Sequence, residues 1–264
     1  MYINYYLKKN NSVVLNMLQT LVFFPAIYCI AKLCTHLYND YKQHIEYEAY
    51  NDEKHIISYD THEIPCIIMR LFHGIGTIYI TGSILYYDTQ DLFFSHSSLT
   101  PDMKFALDYS LCYFLWDTFM TYIGNDPQKK LFIIHHVACI YLLIFSIFYE
   151  YEPKDLLVCI FFSEITNPIY QINDLLLFLH LKNINHIFII GSINFVCTYL
   201  IRGILYPHLF FVWYHSYTTK IYIYQKSISY ILFIYSFGII SLGFIIGSYY
   251  WLYHKYQYLI TYYH

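Results

Sequence analysis

Charge is what this sequence has least of. Only 12% of its 264 residues are Asp, Glu, Lys or Arg, about half the share that soluble domains carry. A soluble chain of this length needs a wetter surface than that. Lys and Arg number 15 against 18 Asp and Glu, for a net charge of −3, and no basic stripe is present, which argues against a nucleic-acid partner. The seven cysteines (Cys29, Cys34, Cys66, Cys112, Cys139, Cys159, Cys197) never form a C-x-x-C pair. They read as small packing residues and not as a zinc site or a disulfide framework. None of the 14 histidines shows the H-x-x-x-H or H-x-x-H-H spacing of membrane di-iron oxidases. No G-x-S-x-G elbow and no internal repeat occurs. No metal and no resident cofactor is therefore expected.

What is present is apolar length: 58% of residues are hydrophobic. A membrane span takes about 20 mostly apolar residues, and seven such runs are predicted, near 13–34, 64–86, 105–123, 131–150, 155–180, 187–213 and 228–253. Backbone groups in lipid must be satisfied within the chain, so these runs are helices. The expected fold is all-α, a multi-pass membrane bundle of about seven transmembrane helices. The first run follows Lys8 and Lys9 and is too long for a signal-peptide core, so it reads as a retained span. The 34 tyrosines carry little weight as an interfacial belt, because AT-rich coding overproduces Tyr, Ile, Asn and Lys. Six lysines fall on each side of a seven-span layout, so the positive-inside rule assigns no orientation. Residues 35–63 are acidic, with Asp40, Glu46, Glu48, Asp52, Glu53, Asp60 and Glu63 against Lys42 and Lys54. They read as a solvated loop, or as a docking surface for a basic partner.

The informative residues are the ionisable ones inside the apolar runs: Arg70, His73, Asp117, His135, His136, Glu164 and Arg202. The two arginines, Asp117 and Glu164 would together cost on the order of 10 kcal/mol if they faced lipid. They are therefore expected to face inward and pair. Their spacing agrees. Arg70, His73, Thr77 and Thr81 form one helical stripe; so do Tyr109, Tyr113, Asp117 and Thr121; so do Glu164, Asn167, Gln171 and Asp174; so do Asn194, Thr198 and Arg202. Four helices with one polar face each imply a shared polar interior. Pro168 cannot donate an N–H, so a kink or loosened turn is predicted near Glu164. His135 and His136 point about 100° apart on a helix and cannot share one role. One can offer an imidazole base to a cavity; equally, both can be structural, bonded across helices to Glu164 or Asp117.

In order, R-L-F-H at 70–73, Y-F-L-W-D at 113–117, I-I-H-H-V-A at 133–138, F-F-S-E-I-T-N-P at 161–168 and a later Asn194 and Arg202-G-I-L resemble the TLC-domain family (TRAM, LAG1 and CLN8 homology), in particular its small TLC-domain-containing members. The resemblance runs from about Arg70 to Trp251. It divides the chain into 1–63, a first span with the acidic loop, and 64–264, the TLC domain. It implies six core helices around a long lipid-accessible cavity that holds the His pair. By analogy with ceramide synthases, His135 or His136 would be acyl acceptor or general base in transfer from acyl-CoA, with Glu164 orienting it and Asp117 nearby. Arg70, His73, Asn167, Gln171, Asp174, Asn194 and Arg202 would line the lipid cavity.

Two departures stand against a simple transfer of that activity. Leu157, Val158 and Phe161 occupy the places of the synthases' acidic run, and Gln171 and Asn173 stand where the small subgroup has Asn and then Arg, with Asp174 next. Three functions follow as expectations. They are binding or handling of an acyl lipid in lipid homeostasis, acyl-CoA-dependent transfer to an amine or hydroxyl lipid, and a membrane adaptor or cargo receptor working through its loops. Membrane lipids are the expected partners, with acyl-CoA as a possible substrate. The family's habit points to the endoplasmic reticulum or connected membranes.

Overall fold

The structure is a computed structural model describing residues 22–37, 63–87, 98–124, 129–178, 184–220 and 227–261. The start of the first predicted span, 13–21, and the acidic loop residues 38–62 lie outside the described residues. Every described element is helical: α1 (Val22–Leu37), α2 (Glu63–Tyr87), α3 (Pro101–Ile123), α4 (Lys129–Phe148), α5 (Pro153–Glu164), α6 (Asn167–Phe178), α7 (Ile184–Thr198), α8 (Tyr206–Lys220) and α9 (Ile228–Thr261). A π-helical turn, Tyr199–Leu205, joins α7 to α8. Four helical stretches are long and apolar enough to cross a bilayer: Ile64–Tyr87, Lys129–Phe148, Ile189–Thr218 and Ile228–His254. The chain is an integral membrane helical bundle.

Local chemistry sets the helix ends. Thr100 caps α3 by accepting from the Met103 N–H at 3.2 Å, with Pro101 in the first turn. Glu152 precedes α5 in the left-handed region at φ 44°, and Glu150 sits at φ 55°. Two non-glycine residues in that region make the α4–α5 turn strained. The fifth predicted span is two helices, α5 and α6, separated at Ile165 and Thr166. Pro168 is the cause: it has no N–H for the carbonyl of Glu164 four residues earlier.

A second proline acts likewise. Pro207 offers no N–H to the carbonyl of Gly203, and the Tyr249 hydroxyl of α9 donates to that carbonyl at 2.6 Å. The sixth predicted span is therefore a helix widened by a π-turn and re-satisfied from a neighbour, not a plain α-helix.

α2 is the central helix. It packs against α3, α5 and α6, and its glycines permit this. A Cβ on Gly74 would lie 3.1 Å from the Pro168 ring, and one on Gly76 would collide with the Tyr109 hydroxyl. Small residues let helix backbones approach where lipid supplies no hydrophobic drive. The opposite face of α2 is apolar and outward, with Phe72, Ile75 and Tyr79 exposed. α1 docks through Phe24, fully buried against Tyr109 and Tyr113 at ring distances of 5.2 and 5.6 Å.

Candidate functional site

The four predicted stripes face inward. His73, Thr77 and Thr81 on α2 are buried, as are Tyr109, Tyr113, Asp117 and Thr121 on α3, Glu164 and Gln171 around the α5–α6 break, and Asn194 and Thr198 on α7. Arg70, Asn167, Asp174 and Arg202 are half-buried at the margins. The ionisable residues pair with one another, forming two linked networks.

The first joins α2, α3 and α4. Asp117 meets Arg70 Nε at 3.6 Å and His136 Nε2 at 3.3 Å, and it accepts from the Tyr113 hydroxyl at 3.1 Å. A carboxylate draws the Nε2–H of His136 toward itself, which leaves Nδ1 as the lone pair of a neutral ring. That Nδ1 is buried and has no hydrogen-bond partner among the described residues.

The second joins α2, α5, α6 and the π-turn. Glu164 meets His73 Nδ1 at 3.5 Å and accepts from Asn167 Nδ2 at 2.7 Å. Arg202 Nη2 donates to Asn167 Oδ1 at 2.6 Å and to the Ser163 carbonyl. That carbonyl lies in the last turn of α5. The guanidinium thus caps a broken helix at its negative pole. Arg202 Nε and Gln171 Oε1 are buried and unpartnered among the described residues.

His73 connects the two networks. Its ring stacks on Tyr113 at 3.6 Å and 8°, while Nε2 meets Thr77 at 3.1 Å. Tyr113 is also the residue that donates to Asp117.

The two histidines of the pair diverge, as helical geometry requires. His136 is buried toward α3 with Asp117. His135 is half-buried, its ring 4.8 Å from Phe244 of α9 and its Nε2 3.9 Å from Cys139 Sγ. Glu164 meets His73, so the carboxylate in contact with a member of the pair is Asp117. Thr198 donates to Asn194 within α7 at 3.2 Å. Groups of three or more His, Cys, Asp or Glu able to hold a metal are absent among the described residues.

The profile of the TLC domain matches residues 67–255. The chain belongs to the TLC-domain family. A TLC domain-containing protein of Arabidopsis thaliana is 30% identical over 82 residues, a stretch that covers 31% of this chain and 31% of that protein. No solved structure matches the chain.

This TLC domain holds a second polar cluster that sequence reading misses. Glu152, Lys154 and Asp155 open α5 and are all buried. Tyr217 donates to Asp155 at 3.1 Å, and Tyr230 donates to Glu152. The seven-span layout puts Lys154 among the solvent-side lysines, yet it is 1% exposed. Its neighbours in sequence read as an ordinary span edge, and its burial comes from tertiary packing. Three charged residues crowded between Glu152 and Asp155 at the edge of an apolar run are the signal that could have found the cluster.

Proposed function

We propose that this TLC-domain protein handles an acyl lipid in lipid homeostasis, holding its polar linkage at the centre built by Asp117, His136, Glu164 and Arg202. The supporting observation is the set of buried polar atoms without partners among the described residues: His136 Nδ1, Gln171 Oε1 and Arg202 Nε. Buried polar groups are normally satisfied, and each orphan costs about 1–3 kcal/mol. Two acceptors and one donor in one polar interior suit a ligand that both donates and accepts. The amide or hydroxyl region of an acyl lipid does this, and its chains remain in the bilayer.

A second reading is favoured by one feature of the same centre. His136, oriented by Asp117 with Nδ1 free, has the form of a general base. In acyl transfer from acyl-CoA, the base would take the proton of an attacking amine or hydroxyl lipid as the thioester breaks and the CoA thiol leaves. The missing acidic run at Leu157, Val158 and Phe161 argues for lipid handling ahead of this chemistry. A cargo-receptor role would rest on residues 35–63 and has no supporting contact among the described residues. The compartment proposed is the endoplasmic reticulum or its connected membranes.

The test is the full chain in nanodiscs, supplied with acyl-CoA and analysed by intact mass and lipid extraction. Lipid handling predicts a bound acyl lipid, no adduct and no new product, with occupancy reduced about tenfold in His136→Gln, the loss expected for one hydrogen bond. A new amide or ester, lost in that variant, would replace this reading with acyl transfer. Full lipid occupancy in His136→Gln and in Arg202→Gln would remove the polar centre from either role.

A further inference from the structure

Arg202 is the residue of the polar centre that stands in a π-helical turn, Tyr199–Leu205. Its guanidinium reaches across to the α5–α6 break, where Nη2 donates to Asn167 Oδ1 at 2.6 Å and to the Ser163 carbonyl. Asn167 in turn donates to Glu164 at 2.7 Å. An arginine side chain is long and has many rotamers, so the place of its guanidinium depends on how the backbone beneath it is held. That hold comes from α9. Within the turn the Tyr206 N–H reaches back five residues to the Ile201 carbonyl, the wider spacing of a π-helix. The Gly203 carbonyl would take residue 207 in an α-helix, and Pro207 has no N–H to give. The Tyr249 hydroxyl donates to that carbonyl at 2.6 Å. Leu252, three residues on and on the same face of α9, closes over the same spot: a Cβ on Gly203 would lie 3.3 Å from Leu252 Cδ1. Tyr249 itself is 48% exposed, so much of its ring lies against the bilayer while its hydroxyl turns inward. The peptide that directly follows Arg202 is thus pinned to α9 by one hydroxyl and one close apolar contact.

We propose that Tyr249 is a positioning residue of the polar centre: by holding the Gly203 carbonyl it fixes the π-turn, and the fixed turn places the Arg202 guanidinium on the α5–α6 break. The line of contacts is continuous, from Tyr249 to Gly203, along one peptide to Arg202, then to Asn167 and Glu164. Inside a membrane span a carbonyl that loses its donor must find another by moving, and the π-turn is where the helix has already departed from its regular ladder. Without the hydroxyl the turn shifts, and Arg202 Nε, which has no partner among the described residues, is no longer presented at a fixed place. A binding group needs this kind of outer support, because small displacements of the group that touches the ligand cost affinity. The binding half of the proposal rests on the acyl-lipid reading above; the placing of Arg202 does not.

The experiment uses the full chain in phosphatidylcholine nanodiscs. The sequence holds two arginines, Arg70 and Arg202, so isotope-labelled arginine gives two Nε–H signals by nuclear magnetic resonance, and Arg70→Lys identifies the one from Arg202. Tyr249→Phe is expected to displace the Arg202 signal and leave that of Arg70 in place. It should also lower the affinity for N-oleoylethanolamine, an acyl amide with a hydroxyl, about fivefold, the loss expected for one neutral hydrogen bond. In an Arg202→Gln background the same change should cost no further affinity, because the residue it acts through is gone. An unmoved Arg202 signal in Tyr249→Phe, or the same fivefold loss in both backgrounds, would make Tyr249 a local prop of the helix and overturn the inference. Para-aminophenylalanine at position 249 keeps a donor at the end of the ring and should hold the Arg202 signal near its wild-type place. Displacement there would overturn the inference as well, so this variant decides even where Tyr249→Phe does not fold. A wild type that binds no acyl lipid would remove the acyl-lipid reading alone, since the Arg202 signal is read without lipid and still decides whether Tyr249 places it.

Discussion

At the scale of single residues, the polar interior is maintained by side chains that each serve two helices. Arg202 is the clearest. It bonds Asn167 on α6 and caps the carbonyl of Ser163 on α5, so it closes a break beside Glu164. Arg202→Met would leave the Ser163 carbonyl and Asn167 Oδ1 without this donor. A buried acceptor left unsatisfied costs about 1–3 kcal/mol, so the unfolding transition of the detergent-solubilised protein should move to milder conditions than for the wild type. An unchanged transition would mean that Arg202 contributes nothing to closing the break. The stripe spacings foretold that Arg202 faces inward. They did not foretell its partner, because Ser163 engages it through a backbone carbonyl, which no side-chain pattern reveals.

At the scale of elements, prolines and glycines decide where helices bend and touch. Pro168 splits one predicted span, as its missing N–H implied. The π-turn at Tyr199–Leu205 was not legible, because the donor that makes it tolerable, Tyr249, is 46 residues away. Gly74 and Gly243 offer a controlled contrast. Gly74→Leu drives a side chain into the Pro168 ring at the α2–α6 contact and should destabilise by about 1–3 kcal/mol. A methyl group at Gly243 on α9 would meet nothing within 4 Å, so Gly243→Ala should be neutral or gain about 0.5–1 kcal/mol from helix propensity. Thermal unfolding of both variants in the same detergent checks the pair, and equal effects would refute the close α2–α6 approach.

At the scale of the whole molecule, the bundle is organised from the inside outward. Polar stripes of α3 and of the α5–α6 break meet α2, and apolar faces such as Phe72, Ile75 and Tyr79 look out, the reverse of a soluble helical protein. The seven-crossing layout, with α5–α6 and α7–α8 each counted once, predicts that the start of α1 and the end of α9 lie on opposite sides of the membrane. Tags introduced at those two positions should be accessible to a membrane-impermeant reagent from opposite faces; labelling from the same face would remove one crossing. Six lysines on each side left the direction itself unassigned, and burial of Lys154 withdraws one of them from that balance.

The sequence by itself determined that the chain is a helical bundle in a membrane, which residues form its buried polar stripes, and to which family it belongs. Each of these follows from a local quantity: apolar length, helical period, or the order of short motifs. Tertiary structure alone decided the pairing. Asp117 engages His136, Glu164 engages His73, and Arg202 closes α5, because inward-facing charges in a bilayer must find partners and several partners were equally spaced along the chain. It also decided the enclosure of Glu152, Lys154 and Asp155: the span layout leaves the first two outside the apolar runs and starts a run at Asp155, and α8 and α9 bring Tyr217 and Tyr230 onto the two carboxylates.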